Sequence, residues 1–205
     1  MTDHHYDIDR DLKEAEAMAK SLDRYVYQEQ LYGTVGGGGF FAPSNMPSLT
    51  VGAVLLRTRR LTSLREAGQL DEKQSDRLDK VLAINREVYK DARREYEHKM
   101  MREAKSRLKA MQLFFEECSG NPKLCNRVYR PEALRRTIVQ EILIAMDEMS
   151  MERDEELNAL LSRMDSNLRR YADEEHGFLL DDELESVYPQ RTFWWLYREP
   201  HTPEK

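Results

Sequence analysis

Cysteine, proline and glycine are all scarce in this 205-residue chain, which holds two, seven and nine of them. Two cysteines, Cys118 and Cys125, are too few for a disulfide scaffold or a cysteine-only zinc site. Their spacing is not Cys-x-x-Cys, and they read as plain loop thiols. No apolar run approaches the length of a membrane span; "ILIAM" is among the longest. The opening "MTDHHYDIDR" is polar throughout and carries no secretory pattern, so a soluble, cytoplasmic protein is expected. A formal charge of −6 supplies no overall pull toward nucleic acid or anionic lipid.

Glycine and proline are missing altogether from residues 72–117 and again from 132–176. At 1.5 Å per residue the first stretch allows roughly 70 Å of helix. Ahead of it, Ile8, Leu12, Ala15, Ala19, Leu22 and Val26 recur at helical spacing and predict a first helix over 8–32, closed by Gly33. A glycine- and proline-bearing connector spans 33–48. Ser48 or Thr50 then caps a second helix over 49–67, ended by Gly68. Asp71, three residues before Gln74, has the spacing of a capping box for the third helix.

The two long stretches, joined by a loop over 118–130, read as an antiparallel hairpin of helices over 72–117 and 131–176. Pro131 suits the first position of the second. Its stripe loses phase across "SMERDEE", so 131–176 is one helix or two meeting near Ser150. Residues 86–109 hold nine basic against five acidic side chains, and residues 139–162 hold seven acidic against one arginine. Folding about residue 124 sets these opposite charges face to face and so fixes register. Val88, Ala92, Tyr96, Met100, Ala104 and Leu108 recur every fourth residue, a stripe that winds round a helix and suits several neighbours. Residues 177–205 end in "FWWLY", too apolar to leave in water. The fold expected is all-α: a single elongated domain built on the hairpin, with two shorter N-terminal helices and an aromatic C-terminal strap.

Candidate chemistry is thin. "LYGTVGGGGFFAPSN", residues 31–45, lacks the lysine and hydroxyl of a P-loop and follows a helix rather than a strand, so it reads as a connector. "EYEH", residues 95–98, has a di-iron helix spacing, but its nearest match, "DEEH" at 173–176, lies far away in the hairpin. The five histidines form no Ser-His-Asp set. No cofactor, metal or small-molecule substrate is indicated, and no catalytic residue is assigned. The function expected is a non-catalytic interaction or scaffold protein that binds a protein partner or itself, through Phe193, Trp194, Trp195, Leu196 and Tyr197. The alternative is nucleic-acid contact by Arg57, Arg59, Arg60, Arg93, Arg94, Arg102 and Lys105.

Overall fold

A computed structural model of the chain describes residues 6–36, 46–120, 122–172, 174–175 and 177–199. The chain is helical, with helices packed as bundles: α1 (Ile8–Val26), α2 (Val51–Glu66), α3 (Glu72–Asp91), α4 (Arg93–Gly120), α5 (Pro122–Glu148) and α6 (Glu155–Tyr171). Two 3-10 turns, Asp182–Val187 and Trp194–Tyr197, follow α6. A two-residue antiparallel ladder joins β1 (Glu174–Glu175) to β2 (Arg198–Glu199). The backbone divides into two compact units, His5–Glu103 and Ala104–Lys205.

In the first unit α1, α2 and α3 pack round Leu12, Ala15, Ala19, Leu61, Leu78 and Val81. Each helix opens on a side-chain cap. Asp7 accepts from the Arg10 amide, Thr50 from Ala53, and Asp71 forms the capping box expected with Gln74. Gly68 closes α2 in the left-handed region at φ 72°, as expected. Gly33, by contrast, does not end the first helix, which stops at Val26. It lies in a backbone bridge with Leu49, where a Cβ would come within 2.8 Å of the Tyr25 ring. Contact with that ring, rather than a helix cap, demands glycine here.

The uninterrupted helix expected over 72–117 is two helices that part at Ala92. No glycine or proline lies at the break; a side-chain bond spans it. The Tyr96 hydroxyl donates to Asn85 Oδ1 at 2.9 Å. Eleven residues of straight helix would separate the two by about 16 Å along the axis, beyond the reach of the two side chains. The winding stripe nevertheless behaves as its spacing predicts: Val88, Ala92, Tyr96, Met100, Ala104 and Leu108 are all buried.

Two further boundaries move. The expected loop over 118–130 is largely helix, because α4 runs to Gly120 and α5 begins at Pro122. Pro122, rather than Pro131, therefore stands at a helix start, and Pro131 falls inside α5. The interruption near Ser150 is present. Ser150 adopts φ 54°, and α6 starts afresh at Glu155 on an Asp154 cap.

This second reversal changes how the charges meet. Lys105 of α4 bonds Asp154 at 2.5 Å and Glu156 at 2.6 Å, and Lys109 reaches Glu156 at 2.7 Å. Farther along, Phe115 stacks on Tyr171 with ring centroids 5.3 Å apart. α4 thus runs beside α6 in the same direction, and the hairpin register expected about residue 124 does not describe these pairs.

Candidate functional site

The residues of the nucleic-acid alternative do not form one open stripe. Arg57 bonds Glu14 at 3.0 Å through Nε, with Asp11 at 3.5 Å, and its side chain is nearly buried. Arg60 lies 3.8 Å from Asp11 and over the Tyr6 ring. Arg93 pairs with Glu97 one helical turn on, and Arg102 donates to the Glu29 carbonyl. Lys105 serves Asp154 and Glu156, as above. Arg59 also has a partner, and Arg94 is exposed on α4.

The aromatic tail is covered by its own unit. Phe193, Trp195, Leu196 and Tyr197 are buried, and Trp194 is half-buried under Arg169. The Trp195 indole donates to Thr137 Oγ1 at 3.0 Å, and the Tyr129 hydroxyl donates to the Trp195 carbonyl at 2.9 Å. Arg136 lies over the Trp195 ring while bonding Asp165 at 2.7 Å. These contacts make the strap part of the core of Ala104–Lys205.

In the first unit, Lys99 and Glu103 stand one helical turn apart on α4 and serve two helix ends. Lys99, 1% exposed, donates to the carbonyls of Gln28 and Gln30 just past α1 and lies over the Tyr25 ring. The Glu103 carboxylate accepts from the Gly52 amide at 2.8 Å, in the first turn of α2. A cation at carbonyls that follow a helix and an anion at a helix start complement the two helix dipoles. Burial, and then the nearby Arg102, pull the Lys99 ammonium below its ordinary pKa. Sequence reasoning missed this pair, which reads there as two members of a solvated charge run. Its only signal is their position beside the buried stripe.

One surface of the first unit stays open. α1 and α3 run side by side in the same direction. Arg77, near the start of α3, bonds Glu16 at 2.8 Å and Asp9 at 3.0 Å. Toward their C-terminal ends a groove of about 650 Å³ lies between them. Its floor is apolar, from Ala19, Ile84, Val88 and Ala92. Lys20, Asp23 and Arg24 of α1 and Glu87 and Asp91 of α3 form the rim, all exposed. Tyr27 borders the groove and is 64% exposed, an unusually open position for so large a side chain. Among the described residues, none of the five rim charges makes an ion pair.

Comparison with known proteins gives no family model, no curated protein and no solved structure that matches the chain. Among the described residues no three metal-binding side chains gather, and no helix is long and apolar enough to cross a membrane. The tip of the glycine loop, 37–45, the side chains of Cys118 and Cys125, and His176 of "DEEH" lie outside the described residues.

Proposed function

We propose that this chain is a non-catalytic helical interaction protein that binds another polypeptide through the groove between α1 and α3. The observation that carries the proposal is Tyr27, a large aromatic side chain left 64% exposed beside an apolar floor. Interfaces favour tyrosine together with an uncharged centre and a polar rim. The docking site is therefore assigned to the first unit and not to the C-terminal aromatics, which are already engaged. Nucleic-acid contact has less support, because Arg57, Arg60, Arg93, Arg102 and Lys105 are each bonded within the fold.

A photo-crosslinking amino acid in place of Tyr27, in the full chain expressed in its own cells, tests the proposal. A discrete adduct is expected from position 27 and none from a control at Asn158, exposed on α6. No adduct at 27, or the same adducts from both positions, would overturn it. Binding of a labelled duplex at low salt that falls steeply as salt is added would revive the alternative.

A further inference from the structure

We infer that the occupant of the α1–α3 groove is a second copy of this chain, paired by two-fold symmetry. The inference rests on the reading of the groove as a docking surface, and the charges of its rim select the partner. The α3 side is acidic, with Glu87 and Asp91. The α1 side carries Lys20 and Arg24 with Asp23 between them, and stays net positive. A surface with one basic and one acidic edge is self-complementary under the one rotation that exchanges the edges.

That rotation is a two-fold axis running along the groove. It lays α1 of each copy over α3 of the other and preserves height along the helices. Height matters because α1 and α3 are matched in register. Arg77 reaches Glu16 at one level, and Ala19 to Tyr27 line the same groove as Ile84 to Ala92 at the next. With a rise of about 1.5 Å per residue, Lys20 and Arg24 of one copy then stand within roughly two turns of Glu87 and Asp91 of the other, inside the reach of their long side chains. The other face-to-face choice, an axis across the groove, sets α1 against α1 and brings the two Lys20–Arg24 edges together. Like charges exclude that arrangement. Ala19 and Ala92 add little bulk to the floor, and the Tyr27 ring loses its exposure to the facing copy.

The test is the solution mass of the full chain, measured by sedimentation over a concentration series. The unaltered chain is expected to be a dimer. The double variant Lys20→Glu with Arg24→Glu makes both edges acidic. Its counterpart, Glu87→Lys with Asp91→Lys, makes both basic. Each alone is expected to self-associate about tenfold or more weakly at low salt, while an equimolar mixture recovers dimer formation. All four positions are exposed, so each variant should keep the helical circular dichroism of the parent. Tyr27→Glu, which buries a charge in the same interface without touching the rim, should also weaken the dimer. A monomeric parent overturns the inference, as do variants as dimeric as the parent or folded variants whose mixture stays monomeric. A crosslink from position 27 to a different polypeptide would then leave the groove as a docking site but not for a second copy. No adduct at all would overturn the docking reading itself.

Discussion

Both units bury ions, and they differ in what covers their apolar surface. In His5–Glu103 buried and nearly buried ions join the helices: Asp11 and Glu14 against Arg57 and Arg60, with Lys99 and Glu103 at two helix ends. In Ala104–Lys205 the buried Arg136 bonds Asp165, and aromatic rings of the tail and of α5 add large apolar surface with single polar handles on Trp195, Tyr129 and Tyr197. Trp195 bonds Thr137, Tyr129 bonds the Trp195 carbonyl, and Tyr197 bonds the Tyr188 carbonyl. Ion pairs between helices fix which residue faces which but cover little apolar area. Rings do the reverse, because each buries a large surface and needs one partner for its donor. The second unit thus uses its own C-terminus as a cover. The first leaves the α1–α3 face open, with Tyr27 beside it.

The largest effect should come from removing the cover. Trp195 is 1% exposed and touches α5 through both Thr137 and Arg136. Trp195→Ala is expected to cost about 3–5 kcal/mol, the usual range for a buried aromatic. Denaturant unfolding followed by far-UV circular dichroism measures it. Thr137→Val keeps the shape and strands the indole donor, at about 1–3 kcal/mol. A loss under about 1 kcal/mol for Trp195→Ala would mean that the tail is an accessory to this unit and that the contrast between the units fails.

Much of this organisation is legible in the sequence, and the failures have physical causes. Local chemistry could be read directly. The Asp71–Gln74 box, the Thr50 cap, the stop at Gly68 and the interruption near Ser150 depend on residues within a few positions of one another. The four-residue stripe was readable because burial follows its winding path. The break at Ala92 was not, since it is held by Tyr96 and Asn85 and no local residue announces it. Helix over 118–120 and 122–130 was hidden by Gly120, Pro122 and Pro131, which punctuate most chains but here fall at a helix end, at a helix start and inside α5. The groove was invisible for another reason. Lys20, Arg24, Glu87 and Asp91 look like ordinary solvated faces until α1 and α3 are set side by side.

An intermediate effect puts one tyrosine from each unit on the same scale. Burial holds the phenols of Tyr96 and Tyr129 well above the ordinary value of 10.0. Above pH 10 the unfolded chain loses these protons while the folded chain keeps them, so stability must fall as pH rises. Each tyrosine contributes a slope approaching about 1.4 kcal/mol per pH unit. Tyr89 and Tyr197 shift in the same direction and add to the fall. Lys99 acts oppositely. Its lowered pKa means that stability rises with pH up to the ordinary 10.5. Denaturation midpoints taken across this range should drop beyond pH 10, and Tyr96→Phe and Tyr129→Phe should each flatten the decline. An unchanged slope in either variant would show that phenol not to be sealed in its unit.

The smallest effect concerns how the helices of the first unit begin. Asp71 accepts from the Gln74 amide at 2.7 Å, and the Gln74 side chain accepts from the Asp71 amide at 3.0 Å. Both bonds lie on the surface. Asp71→Ala should therefore cost about 1 kcal/mol, the ordinary value of a cap, and Asp71→Gly only a few tenths. Gln74→Ala removes the reciprocal bond alone and should fall at or below the alanine value at Asp71. If Asp71→Ala instead destabilises as much as Trp195→Ala, α3 is held chiefly by its start and not by its packing on α1. The Arg77 bonds to Asp9 and Glu16 would then be secondary, and the register that sets Glu87 and Lys20 on one groove would depend on the capping box.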